Sequence, residues 1–211
     1  MTRVAGTVRA AAVAAARAVL CTLLVIGCRA PLPAGKSNSQ AAAADPVVLR
    51  DALTPDGVPL AMTCTPSGAE LCFDATDNNC NGVIDEGCGV DTGPLQFAIA
   101  WSEGSDVDLE VYDPGGNLAK PGERNEGALS KDRDCGRAQS SCHGQNMENV
   151  YFVGARPPAG RYRIEIKLDK PDDVRFPVKV RLGGRIGGKT FALDVELVSP
   201  EDVKVFGVAI E

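Results

Sequence analysis

Arg161-Tyr162-Arg163-Ile164-Glu165-Ile166-Lys167-Leu168 alternates a charged residue with an apolar one without a break. Successive side chains of an extended strand point to opposite faces, so this stretch has one wet face and one dry face. The same period of two recurs on either side of it. Phe97, Ile99 and Trp101 alternate, as do Val107, Leu109 and Val111. Phe176, Val178, Val180 and Leu182 follow, then Phe191, Leu193, Val195 and Leu197, and a last run from Val203 to Ile210. Turn residues separate the runs: Asp113-Pro114-Gly115-Gly116, Pro157-Pro158-Ala159-Gly160, Gly183-Gly184 and Gly187-Gly188. No amphipathic helix interrupts them. The pattern predicts an all-β chain, with a β-sandwich over residues 93–211 that is large enough to bury its own core. Short apolar pieces between Pro46 and Thr63 add one or two further strands.

Upstream the composition changes. Cys72, Cys80 and Cys88 recur every eighth residue, and Asp74, Asp77, Asn79, Asn81, Asp85 and Glu86 lie between them around Gly82. Asp77, Asn79, Asn81, Gly82, Ile84 and Asp85 fall at positions 1, 3, 5, 6, 8 and 9 of a calcium loop. There oxygens converge from alternate residues and the glycine permits the sharp turn. Position twelve, where an EF-hand places a bidentate Glu, is Cys88, and no helix flanks the loop. The expected ligands are therefore the side chains of Asp77, Asn79, Asn81 and Asp85 and the carbonyl of Val83, with Glu86 or Asp74 closing the shell. The plainer reading is a disulfide knot whose Asp and Asn residues satisfy turns.

The stretch from Glu70 to Cys88 resembles a short metal-binding motif repeated in secreted proteins of myxobacteria, Glu-x-Cys-x-Asp-Gly-x-Asp-Asn-Asp-Cys-Asp-Gly-x-x-Asp-Glu-Gly-Cys. It matches at Glu70, Cys72, Asp74, Asp77, Asn78, Cys80, Gly82, Asp85, Glu86, Gly87 and Cys88, and departs at Ala75, Asn79 and Asn81. The two Asn residues lower the formal charge of the site. A second resemblance begins at Trp101 and runs through Asp106-Val107-Asp108-Leu109-Glu110-Val111 to Asp113-Pro114-Gly115-Gly116. It continues at Glu148-Asn149-Val150-Tyr151 and Pro158-Ala159-Gly160 with Tyr162. This half is similar to a poorly characterised bacterial domain found in secreted proteins beside von Willebrand type A-like modules. That resemblance implies a β-sandwich and an extracytoplasmic place.

Residues 1–27 read as an export signal. Arg3, Arg9 and Arg17 precede an uncharged, mostly apolar run from Ala18 to Gly27, which is too short to span a bilayer. Val25-Ile26-Gly27-Cys28 resembles a bacterial lipobox, with Cys28 carrying the lipid, and Arg29 after it favours the outer membrane. The expected residence is thus the cell envelope, with the membrane as a partner through the anchor. Residues 28–45, rich in Pro, Ala, Gly, Ser, Asn and Gln, form a disordered tether reaching on the order of 20 Å. Residues 46–92 form the Cys/Asp-rich segment.

Of 22 basic residues the signal removes three, and of 28 acidic residues none, so the mature chain is formally −9, with 19 against 28. A chain of that sign does not bind nucleic acid by its phosphates. The charge is also uneven, with 13 acidic and no basic residues from Asp51 to Ala119. Setting aside Cys21 in the signal and Cys28 at the lipid site leaves six cysteines, Cys64, Cys72, Cys80, Cys88, Cys135 and Cys142, and an even number in an exported chain reads as disulfides. Clustering puts two bridges among the first four and one between Cys135 and Cys142. Three pairings of the first four are open.

A second candidate cation site rests on Asp106 and Asp108, two apart on one strand face, with Glu148 and Asn149 completing it from the end of the long loop after Asp113. A solvated strand face is the simpler alternative. Calcium suits these oxygens. Copper fits less well, because Met62, Met147 and His143 are the soft or imidazole ligands left once the cysteines are oxidised. Catalysis has little support, since His143 is the sole histidine and no nucleophile motif precedes a helix. The sequence thus points to a calcium-binding structural or ligand-binding module, with a surface protein or carbohydrate as its ligand. The alternative is an accessory or degenerate hydrolase domain using the acidic face and His143.

Overall fold

The computed structural model describes residues 49–102, 104–136, 142, 144–170 and 174–211. Among the described residues nine strands run β1 (Leu49–Leu53), β2 (Leu95–Trp101), β3 (Asp106–Tyr112), β4 (Leu129–Asp134), β5 (Met147–Phe152), β6 (Gly160–Lys170), β7 (Val178–Ile186), β8 (Lys189–Leu197) and β9 (Lys204–Ile210). They form two antiparallel sheets, one ordered β1-β9-β6-β3 and the other β4-β5-β2-β7-β8. The chain is therefore the all-β, two-sheet fold that the alternation of Arg161–Leu168 predicts. Tyr162, Ile164 and Ile166 lie between the sheets with almost no exposure, while Arg161 and Arg163 face solvent. The core they join takes Leu95, Phe97 and Ile99 from β2, Val107, Leu109 and Val111 from β3, and Val178, Val180 and Leu182 from β7.

Strand β2 is buried at all seven positions. An alternating strand at a sheet surface would leave every second residue wet, so something covers its outer face. The cover is the Cys/Asp-rich segment. Ala98 and Ala100 on the outer side of β2 and Met147 on β5 form a second apolar cluster with Ala75 and Ile84 of the loop. Small residues at 98 and 100 let the loop backbone lie close to the sheet.

Gly183 and Gly184 differ from the expected turn: both lie inside β7, opposite Ala98 and Phe97 of β2. The turn itself is Gly187-Gly188, between the paired residues Ile186 and Lys189. Two close contacts explain glycine within the strand. A Cβ at Gly183 would lie 2.0 Å from the carbonyl oxygen of Ala75 in the loop, and one at Gly184 would lie 2.1 Å from the Phe191 ring. Gly183→Ala is accordingly expected to lift the loop from the sheet at a cost of about 1–3 kcal/mol. The check is thermal melting together with thermolysin cleavage within residues 64–88, and wild-type behaviour in both would refute the docking role.

Strand β4 falls within, and β5 begins at the end of, the span from Asp113 to Glu148 that the sequence leaves as a loop. Leu-Ser-Lys-Asp-Arg-Asp of β4 has one apolar residue, so its period of two is invisible as hydropathy. The inward positions are Leu129 and Lys131, both buried. β7 begins at Val178, after the exposed Phe176 and a cis Phe176–Pro177 bond, rather than at Phe176. β1 pairs with β9, with Leu53 opposite Gly207, so part of the segment before residue 93 completes a sheet.

Candidate functional site

The loop is drawn together by two bridges, Cys64–Cys80 and Cys72–Cys88, with Cα separations of 5.7 and 5.4 Å. Of the three pairings open to the first four cysteines, the structure takes the one in which each bridge skips one cysteine. Cys135–Cys142 forms the third. Inside this frame the acidic side chains divide into two groups.

One group folds the backbone. Asp85 is fully buried, and its carboxylate accepts from the amides of Phe73 (2.5 Å), Asp74 (3.2 Å) and Ala75 (3.1 Å). Phe73, Ala75 and Asp85 all have positive φ, at 65°, 55° and 52°, which side-chain-bearing residues adopt only when surroundings enforce it. Three N–H bonds to one carboxylate supply that enforcement. Burial pushes the Asp85 carboxyl up to about 6 against the pull of those donors. Glu70 acts in the same way from outside, accepting from Asp85 N at 2.9 Å and Asn78 N at 3.1 Å. Asp74 accepts from Thr76 N and from the Asn78 side chain. Glu70 was visible in the sequence as the first residue of the metal-binding motif, but its role in bracing the loop was not.

The other group converges. Asp77 is 3% exposed, and its two oxygens accept from Asn81 N at 3.0 Å, Gly82 N at 2.8 Å and Thr190 Oγ1 of β8 at 2.8 Å. Asn79 Oδ1 accepts from Asn81 N, and Asn81 Oδ1 from Val83 N. The Glu86 carboxylate takes the side-chain amide of Asn79 on one oxygen and that of Asn81 on the other. Of the expected calcium ligands, the structure sets Glu86 against the side chains of Asn79 and Asn81, holds Asp77 on the Asn81 and Gly82 amides and Thr190, and gives Asp74 and Asp85 other partners.

The second candidate set is also divided. Asp108 and Glu148 come together, joined by Asp134, with one carboxylate oxygen from each within 4.8 Å of the others. Asn149, next to Glu148 on β5, faces the opposite side. It bonds to Gln96 at 2.9 Å, to the Asp91 carbonyl at 2.9 Å and to Asp132 at 2.6 Å. Asp106 packs over Gly136, where a Cβ would lie 1.5 Å from its Oδ1.

Lys131 is the member of this cluster that the sequence hid. Its ammonium lies 2.5 Å from Asp134 and 2.8 Å from Glu148, and only 7% of its side chain is exposed. Glu148 also accepts from Leu109 N of β3 at 2.5 Å, which ties the edge of one sheet to the interior of the other. Burial pushes Glu148 up to about 9 despite Lys131, and a hydrogen bond with Asp134 adds to the rise. Burial likewise pushes Asp108 up to about 6. Burial alone would lower Lys131, but Glu148 and Asp134 reverse it and hold the ammonium above its usual value. Three carboxyls around one buried ammonium make a closed proton-holding network.

Cys28 and His143 lie outside the described residues. No family model, no characterised protein and no solved structure matches this chain.

Proposed function

We propose that the chain is an exported, lipid-anchored binding module whose Cys64–Cys88 loop takes one calcium ion through Asp77, Asn79, Asn81 and Glu86. The observation that carries this reading is the seat of Glu86. It places a fourth oxygen-bearing side chain against those of loop positions three and five, while Asp77 at position one holds the Asn81 amide beside them. The donor set is entirely oxygen, which suits a hard cation rather than copper. Each amide oxygen has two lone pairs, so those that accept from Asn81 N and Val83 N have capacity for a cation as well. The Val83 carbonyl and waters would complete the six to eight ligands that calcium takes.

The resemblance of Glu70–Cys88 to a secreted metal-binding motif supports the reading. So does the disulfide content, which belongs to an oxidising compartment. Calcium would fix the outer cap of the sandwich, because the loop it binds is the cover of β2. With two neutral ligands the affinity should fall near roughly 10⁻⁴–10⁻³ M. At ten times Kd such binding stabilises by about 1.4 kcal/mol.

The test is calcium titration of the oxidised protein by calorimetry and melting. Wild type should bind one ion and melt higher in millimolar calcium, and Glu86→Gln should weaken binding about tenfold. Asp74→Asn should leave the affinity nearly unchanged. An oxidised wild type that takes up no calcium at millimolar concentration defeats the proposal.

A further inference from the structure

We propose that the seam between the Cys/Asp-rich loop and the outer face of β7 and β8 is a binding groove for a neutral, hydroxyl-rich ligand, namely a surface saccharide. The inference names the ligand class of the binding module proposed above and does not rest on its calcium site.

Two cavities of about 430 and 360 Å³ open along this seam, and they meet at a common wall of Asp74, Thr76 and Arg181. Each lies within the size range of small-ligand sites. The lining of the first cavity mixes polar side chains, among them Thr65, Ser67, Thr190 and Asn78, with the apolar Phe191 and Ala192. The second adds Lys179 and Asp194 and the ring of Phe73. Arg181 meets Asp194 at 3.1 Å through one nitrogen of a planar fork that carries five N–H donors.

The charges decide the chemistry of the occupant. Asp74, Asp77 and Asp194 outnumber Lys179 and Arg181 by one charge along the groove, which disfavours an anion. The carboxylates already have partners, Asp194 in Arg181 and Asp74 in Thr76 N and the Asn78 amide, which leaves a cation little to gain. Asp77 also borders the first cavity, but its carboxylate is held by Asn81 N, Gly82 N and Thr190 Oγ1. A saccharide needs what remains: alternating donors and acceptors for vicinal hydroxyls, and an apolar ring face for its C–H surface. Phe73 supplies that ring. Its positive φ of 65° is held by the Asp85 carboxylate, the residue packs against the second apolar cluster, and the Arg133 guanidinium lies over the ring 5.8 Å from its centroid. The groove has two rigid walls, one a sheet and the other a doubly bridged loop, so little order is lost on binding.

The test titrates the full oxidised protein with cellotetraose, maltotetraose and chitotetraose, and with a galacturonate tetramer and tetralysine as charged probes. At least one neutral tetrasaccharide should bind, and neither charged probe should bind as well. Arg181→Ala should weaken that binding tenfold or more with the melting temperature unchanged. Ser102→Tyr, at an exposed position that borders the second cavity, should block it in a protein that folds normally. Binding that survives both substitutions, preference for a charged probe, or no binding of any probe overturns the proposal. Each titration is repeated in EDTA. Saccharide binding that persists there upholds the groove whether or not the loop takes calcium, and saccharide binding abolished by EDTA overturns its independence from that site.

Discussion

Replacing Lys131 with Met is expected to destabilise the sandwich by about 3–5 kcal/mol at pH 8, because it leaves buried carboxylates without their cation. Lys131 stands between Asp134 and Glu148, while Glu148 reaches across to Leu109 N on the facing sheet. Losing the ammonium therefore loosens the flank where β3 meets β4 and β5, and not a surface pair. The deficit should shrink on acidification. Glu148 at about 9 and Asp108 at about 6 both lie above their ordinary values of 4.5 and 3.8. The folded state thus holds these protons more tightly than the unfolded chain does. That contribution is fully present below the unfolded pKa values, and it is lost as pH rises through about 6 for Asp108 and about 9 for Glu148. Lys131 acts to lower both groups, so its removal matters most where they would ionise. Urea midpoints at pH 5 and pH 8 measure the effect. Equal losses at the two pH values would count against the network. Glu148→Gln keeps the shape and the neutral form, and should cost much less than Lys131→Met at pH 7.

Asp85→Ala is expected to cost about 3–5 kcal/mol, with the damage confined to the loop. The substitution orphans the amides of Phe73, Asp74 and Ala75 around a carboxylate that is itself fully buried. It also removes what holds Phe73 and Ala75 at positive φ. Those two residues carry one wall of the groove and the contact with Gly183, so the cap should lift from β2 while the sheets persist. Hydrogen exchange should show lost protection in residues 72–88 with protection in β6 and β9 retained. Asp85→Asn keeps one acceptor oxygen and sets an amide nitrogen against the remaining N–H, so it should fall between wild type and Ala. A loop as protected as wild type in Asp85→Ala would remove Asp85 from its bracing role. The comparison with Glu86→Gln separates the two adjacent acids: position 85 should govern loop stability and position 86 calcium.

The period of two in Arg161–Leu168 was enough to specify a strand with one buried face, and its repetition was enough for a two-sheet fold, because alternation is a local property that hydropathy records. The cysteine spacing and the turn at Asp113-Pro114-Gly115-Gly116 were legible for the same reason. The turn closes as read, with Gly116 N on the Asp113 carbonyl at 2.9 Å. β4 was not legible, since its inward Lys131 is charged, and only a partner on another strand makes a buried ammonium tolerable. Gly183 looked like a turn because its reason, the Ala75 carbonyl, comes from a loop more than a hundred residues earlier. The oxygen-rich run from Asp74 to Glu86 announced itself, but which acids face inward depends on left-handed backbone at Ala75, Cys80 and Asp85, where residue type gives no signal. Local chemistry set what each segment can be. Tertiary packing chose the bridge pairing, turned Asp85 inward and Glu86 outward, and set Lys131 among three carboxyls, because burial and the competition for N–H donors are settled only once distant segments meet.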